Sequence, residues 1–310
     1  MGGTRGPEPL REEDPRRIAG YALRARIGEG GMGTVFLTRT RGDALPVALK
    51  LIRREHAENE KFRRRFAREV QAARTVQGRH LVPVVDHDAE AERPWLATRY
   101  VPGLPLDEAL REFGPLPLAC VLQLTACAAH ALSAVHAAGL IHRDVKPANL
   151  LLTAQGPWLL DFGIARAADG TSALTTVGRM VGTPKYMSPE HALGRELTPA
   201  SDVFTLGLIA AEAATGRHPY GEGGGLVVAT RIAGTAHEPP DLSAHPEPLR
   251  HLLTATLSPR PEDRPSTNEL ASLCTPTHNL STWLPPAVST AVTSVERASA
   301  LPDPRTSRWP

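Results

Sequence analysis

Gly28, Gly30 and Gly33, in Ile27-Gly28-Glu29-Gly30-Gly31-Met32-Gly33-Thr34-Val35, have the spacing G-x-G-x-x-G. A turn without side chains lets backbone N–H groups approach phosphate oxygens closely. A dinucleotide-binding unit would need a helix to begin at the last glycine. Here Thr34-Val35-Phe36-Leu37 continues as a strand pattern, so the glycines belong on a hairpin. The phosphate loop G-x-x-x-x-G-K-[ST] is absent. Lys50 closes the apolar run Val47-Ala48-Leu49, 17 positions after Gly33, and can point under the glycine turn toward phosphates. Alone, such a lysine is ordinarily a surface residue whose stem covers apolar neighbours. Glu69, between Arg68 and Val70, alone reads as a solvated helix face. As a partner, it would keep Lys50 from swinging free.

The stretch His142-Arg143-Asp144-Val145-Lys146-Pro147-Ala148-Asn149 changes that balance, because Asp161-Phe162-Gly163 begins 12 positions after Asn149. Hard Mg²⁺ takes oxygen ligands from one or two carboxylates, an amide and the phosphates themselves. Asp144, Asp161, Asn149 and Lys146 supply such a set. With the glycine hairpin, Lys50 and Glu69 they describe a magnesium–phosphate site.

The elements that must position these residues follow from periodicity. Residues 1–19 are rich in Gly, Pro, Arg and Glu without periodicity and read as a disordered leader. Strand patterns cover 21–27, 34–38, 46–52, 81–86 and 95–100. A helix is expected over 58–76, with Phe62, Phe66, Val70 and Ala73 on one face. After Gly103 helical spacing dominates, over 118–135, 202–215, 226–232, 248–257 and 266–273, around a strand-and-loop section at 140–163. The fold class is α+β and bilobal: a small antiparallel-sheet lobe over about 20–101 and a mainly helical lobe over about 104–275. Residues 276–310 form a Pro-, Ser- and Thr-rich tail with a short helix expected over 286–299.

Composition removes other classes. The net charge of +2 gives no global drive toward nucleic acid or anionic membrane, and 5% aromatic residues argue against base-stacking platforms. The basic run 61–68 has Phe62 and Phe66 at i, i+4 facing inward, which leaves its arginines on a solvated face. His130, His136 and His142 do not converge on a metal at helical spacing. Three cysteines without Cys-x-x-Cys indicate a reducing, cytoplasmic setting. Residues 116–140 are apolar but contain Gln123, His130 and His136, and read as a buried helix rather than a membrane span.

Across residues 21–273 the sequence resembles the protein kinase superfamily, and most of all the bacterial serine/threonine kinases of eukaryotic type. Met187-Ser188-Pro189-Glu190 stands where the family has A-P-E, and Ser201-Asp202-Val203-Phe204 where it has the helix-F motif. Arg264 matches the arginine that pairs with the Glu of A-P-E, here Glu190. The resemblance implies ATP and Mg²⁺. Ile27, Gly28, Gly30 and Gly33 would cover the phosphates. Lys50, held by Glu69, would bind the α- and β-phosphates, and Asn149 and Asp161 would carry the metal. Asp144 would accept the proton of the substrate hydroxyl, with Lys146 neutralising the γ-phosphate. Val35, Ala48 and Leu151 would sandwich the adenine, the Arg99 carbonyl and Val101 N–H would bind its edge, and Thr98 would be the gatekeeper.

Lys146, two positions after Asp144, is the serine/threonine-kinase pattern, and Thr183 fits the threonine that bonds the catalytic Asp and Lys. A pseudokinase scaffold is the rival, opposed by the presence of Lys50, Asp144, Asn149 and Asp161. Arg143 before Asp144 marks family members controlled by loop phosphorylation, expected here on Thr175, Thr176 or both. Implied partners are protein substrates and a second copy, as a homodimer for trans-autophosphorylation. Removal of 276–310 is expected to leave activity detectable unless Trp283 and the helix after Pro286 dock on the domain.

Overall fold

A computed structural model of the protein describes residues 7–40, 45–160, 184–274 and 283–299. Two short strands, β1 (Arg17–Ile18) and β2 (Tyr21–Ala22), pair as a ribbon. Five further strands form an antiparallel sheet: β3 (Ala25–Gly30), β4 (Gly33–Arg39), β5 (Pro46–Ile52), β6 (Val84–Asp88) and β7 (Trp95–Arg99). Their spatial order is β3-β4-β5-β7-β6. Because side chains alternate across a strand, one face buries Phe36, Val47, Leu49, Leu51, Trp95 and Ala97 with Tyr21 and Leu23. The registers Val35↔Lys50 and Ala48↔Thr98 set those four residues side by side on the other face.

Between β5 and β6 the chain makes a short turn, α1 (Arg54–Ala57), and then α2 (Glu60–Ala73), which buries Phe62, Phe66, Val70 and Ala73. The helix starts after residue 58 because the Asn59 side chain caps it, accepting the N–H groups of Lys61 and Phe62 at 3.0 and 3.1 Å. Arg63 reaches the carbonyls of Glu90 and Ala91, each at 2.9 Å, and fixes the helix to the loop before β7.

The second lobe starts with β8 (Leu104–Pro105), α3 (Leu106–Phe113) and α4 (Leu118–Ala137). A hairpin of β9 (Leu150–Thr153) and β10 (Gly156–Leu159) pairs with β8. Then come α5 (Pro189–Ala192), α6 (Pro199–Thr215), α7 (Gly225–Ala233), α8 (Leu249–Thr256) and α9 (Thr267–Cys274). By length and composition α4 could cross a membrane, yet it packs against α6 and α9 with Val121, Leu124, Leu132 and Val135 in the core.

The structure corrects two expectations at the ends. The leader over 1–19 is ordered from residue 7: Glu8 and Arg26 exchange two backbone hydrogen bonds of 2.8 Å, and Asp14 is buried against Arg26. Backbone pairing and one ion pair need no hydrophobic period, so composition gave no sign of them. At the other end, α10 (Pro286–Ala298) buries Val288 and Val292, and Trp283 and Leu284 join the main core. The folded unit therefore reaches Ser299 rather than ending at 275.

Candidate active site

Asp144 lies on the loop between α4 and β9, and a second carboxylate builds that loop. Asp202, at the start of α6, accepts the backbone N–H of His142 at 2.8 Å and of Arg143 at 3.0 Å. The same carboxylate lies 2.8 Å from Nε2 of His136. Arg143 has φ of 64°, a left-handed conformation unusual for a side-chain-bearing residue. The buried Asp202 thus holds a strained turn in place. His142 is fully buried, with Nε2 3.0 Å from the Leu160 carbonyl and Nδ1 3.4 Å from the Asp144 N–H. Because Nδ1 accepts from that N–H, Nε2 is the nitrogen that faces the carbonyl as donor.

Two side chains converge on Asp144. Lys146 Nζ donates to Oδ2 at 3.0 Å, and Asn149 Nδ2 donates to the same oxygen at 3.1 Å and to the Asp144 carbonyl at 2.8 Å. With its amide nitrogen so engaged, the Asn149 Oδ1 is turned away and carries no hydrogen bond among the described residues. A carboxamide oxygen left open beside a carboxylate suits a hard divalent cation. The 3-10 turn Pro147–Asn149 fixes this geometry, and the Leu160 N–H closes it on the Asn149 carbonyl at 2.8 Å.

The glycine motif forms the hairpin between β3 and β4. Gly33 is required by packing, since a Cβ there would collide with the Leu51 carbonyl oxygen, whereas a Cβ on Gly30 would enter open space. Val35, Ala48 and Lys50 are half-buried on the face they share with the buried Thr98, and Leu151 is buried in β9. In the connector after β7, the Tyr100 N–H is taken by the Pro46 carbonyl at 3.0 Å, while the Val101 N–H has no acceptor among the described residues. Ile27 sits at a register shift in β3, and Arg99 is exposed with its guanidinium 5.8 Å from the Trp158 ring. Asp161, Thr175, Thr176 and Thr183 lie outside the described residues.

Glu69, expected beside Lys50, holds Arg143, with Nη1 3.2 Å from Oε1. Burial lifts the Glu69 carboxyl to about 7, against the lowering pull of Arg143, Arg68 and Arg65. Helical spacing alone could not distinguish two cations reaching the same helix face.

Residues 21–273 match the protein kinase domain family. The chain belongs to the protein kinase family. It is 44% identical over 301 residues to the probable serine/threonine-protein kinase PkwA of Thermomonospora curvata, covering 97% of this kinase and 40% of that protein. To the serine/threonine-protein kinase AfsK of Streptomyces coelicolor it is 43% identical, over 90% of this kinase and 35% of the relative. This kinase therefore spans less than half the length of these curated relatives. Its fold superposes on the Mycobacterium tuberculosis PknI kinase domain with a TM-score of 0.65 and 30% identity, covering 83% of this chain and 96% of that one. Family membership implies ATP and a divalent metal.

Behind the catalytic loop, this kinase buries the Glu190–Arg264 pair. Nη1 and Nη2 lie 2.8 and 3.0 Å from the two carboxylate oxygens, and the Ser201 hydroxyl adds a third bond at 2.6 Å. Burial alone would raise the Glu190 carboxyl, but the Arg264 and Ser201 hydrogen bonds outweigh it and hold it below its ordinary range. The guanidinium also lies over the Phe204 ring at 4.8 Å. One feature of the kinase had no sequence signal: Asp14 beneath Arg26, a single residue in a segment without periodicity. Trp283, singled out with the helix after Pro286 as the part of the tail that could dock, does so beneath β9.

Proposed function

We propose that this kinase transfers the γ-phosphoryl group of ATP to serine or threonine hydroxyls of proteins. The Asp144 carboxylate carries the reading: it is hydrogen-bonded by both Lys146 and Asn149 on a loop that Asp202 holds. Phosphoryl transfer needs positioning and charge neutralisation more than covalent chemistry. Asp144 orients the substrate hydroxyl in line and accepts its proton. Lys146 neutralises charge on the transferring group. Asn149 and Asp161 would hold Mg²⁺, which when bound offsets the charge on the phosphates. Lys50 holds the α- and β-phosphates, and the backbone of Gly28, Gly30 and Gly33 covers them. Val35, Ala48 and Leu151 enclose the adenine, the Val101 N–H and Arg99 carbonyl take its edge, and Thr98 shapes the pocket behind it.

Lys146 two positions after Asp144, and relatives named as serine/threonine-protein kinases, favour serine and threonine over tyrosine. A pseudokinase is not favoured, since Lys50, Asp144, Asn149 and Asp161 are all present. Phosphorylation of Thr175 or Thr176 between two copies would give Arg143 an anionic partner, release Glu69 toward Lys50 and switch the enzyme on. Three free, buried cysteines accord with a reducing cytoplasm. The test is transfer of radiolabelled phosphate from ATP to a protein acceptor, followed by phosphoamino-acid analysis. Magnesium-dependent label on serine and threonine is expected. No transfer, or label on tyrosine alone, would overturn the reading.

A further inference from the structure

Glu29 stands between Gly28 and Gly30 and is the one acidic residue of the hairpin segment 28–33. Three guanidinium groups surround it. Arg26 Nη2 donates to Oε2 at 2.8 Å, Arg53 Nη2 donates to Oε1 at 3.2 Å, and Arg11 Nη1 lies 3.6 Å from Oε2. A regular strand would point residues 26 and 29 to opposite faces. The register shift between Arg26 and Gly28 inserts one residue and brings them to the same side.

Arg26 is the inner member of the group, its side chain 6% exposed, and Asp14, equally buried, holds its other arm at 3.1 and 3.3 Å. The Arg11 N–H in turn donates to Asp14 at 2.8 Å. Residues 8–14 thus cross β3 as a strap, joined to it by the Glu8–Arg26 backbone pair and by the chain Asp14–Arg26–Glu29. The hairpin is also held from its far side, where the Arg53 N–H donates to the Met32 carbonyl at 2.9 Å.

We infer that Asp14 and Arg26 are positioning residues for the nucleotide. The strap holds Arg26 against Glu29, sets the glycine hairpin over the phosphates and cancels the one negative charge the hairpin would turn on them. This rests on the reading of the hairpin as the phosphate cover. Glu29 does not contact the reacting atoms; its charge and its tether act through the hairpin backbone.

The test titrates a fluorescent ATP analogue with Mg²⁺ against the full chain as wild type, D14N, E29Q and D14N/E29Q, alongside steady-state kinetics. D14N is expected to raise the nucleotide Kd and the KM for ATP by about five- to tenfold, as loss of one charge-assisted contact would, with kcat within about twofold. In the E29Q background, D14N is expected to change Kd by less than about twofold, because the coupling runs through Glu29. A Kd unchanged in D14N, or equal D14N effects in both backgrounds, overturns the inference, since a purely structural strap would act independently of Glu29. Should D14N not fold, Glu8→Pro removes the N–H donated to the Arg26 carbonyl, with the Glu8→Ala variant as control for the lost carboxylate, and the same rise and the same overturning result apply. Wild-type protein that binds no nucleotide would instead defeat the underlying reading of the hairpin.

Discussion

Glu69 and Arg143, 74 residues apart in the chain, meet between the helix of the sheet lobe and the catalytic loop, with Nη1 3.2 Å from Oε1. The pair joins the two lobes through the residue that precedes Asp144. Arg143 Nε is buried without an acceptor among the described residues, so the guanidinium is only partly satisfied by this partner.

The pair gives a pH signature. Burial raises the Glu69 carboxyl from 4.5 to about 7, so between those values the folded state holds a proton that the unfolded chain has lost. Stability then falls as pH rises from 4.5 toward 7 and is level above that. Glu69→Gln removes the titration. The stability of the variant relative to wild type is expected to rise across this window by something of the order of 3 kcal/mol. Chemical denaturation at pH 5 and pH 8 measures it, and a difference that does not move with pH would contradict the burial of Glu69.

Asp144→Asn is expected to lower phosphoryl transfer by about 10²–10⁴-fold, the usual loss for a positioned acid–base group. An amide can still accept from Lys146 and Asn149, so the loop should keep its shape and the unfolding transition should superimpose on wild type. Stopped-assay rates beside a melting curve decide the matter. Wild-type turnover in this variant would remove Asp144 from the mechanism.

Glu190→Ala acts on the fold. It strips the bidentate partner from an Arg264 side chain that is 0% exposed. An orphaned buried charge costs about 3–5 kcal/mol, out of a total of roughly 5–15 kcal/mol. A drop in melting temperature of roughly 10 °C is expected. The Glu190 carboxyl is held below its ordinary range, so the stabilisation it gives wild type is present above pH 4.5 and is lost as pH falls below that. The alanine variant should therefore lose less stability than wild type on acidification. Equal acid profiles would show that the pair does not titrate with folding.

Much of this was legible in the residues, for identifiable reasons. Strand alternation around Val35, Ala48 and Lys50 and helical spacing around Phe62 and Phe66 are local signals, and they placed the sheet and its helix. The Asp144–Asn149 cluster was legible because its members lie within six residues of one another. Contacts that needed three dimensions were not. Arg143 reaches Glu69 from 74 residues later in the chain through the path of the loop after α4, which no spacing rule encodes. Asp14 looked like one charge in a polar leader because the bulge that aims Arg26 at Glu29 leaves no mark on composition.

Activity was expected to survive removal of the segment after α9 unless Trp283 and the helix after Pro286 dock, and their contacts show that they do. Trp283 is 8% exposed; its Nε1 donates to the Thr153 carbonyl at 2.8 Å, and its own carbonyl accepts the Cys120 thiol at 2.8 Å. Val288 and Val292 follow at i, i+4 and are buried with Leu284 in the main core. Glu296 accepts the Ala154 N–H at 3.2 Å, and Ser299 accepts the Tyr100 hydroxyl at 3.0 Å. Tyr100 belongs to the connector between the lobes, so the segment links the β9–β10 hairpin to the hinge. Trp283→Ala removes a large buried side chain and its hydrogen bond to the Thr153 carbonyl, a change worth about 3–5 kcal/mol. A chain ending at residue 275 exposes the whole apolar seam and is expected to be insoluble or to unfold at markedly lower denaturant. A chain ending at residue 299 retains every contact named above and should match wild type. Denaturant midpoints of the three proteins, with ATP turnover beside them, separate a docked segment from a dispensable tail. A 1–275 protein with the wild-type midpoint and rate would mean that the seam contributes nothing.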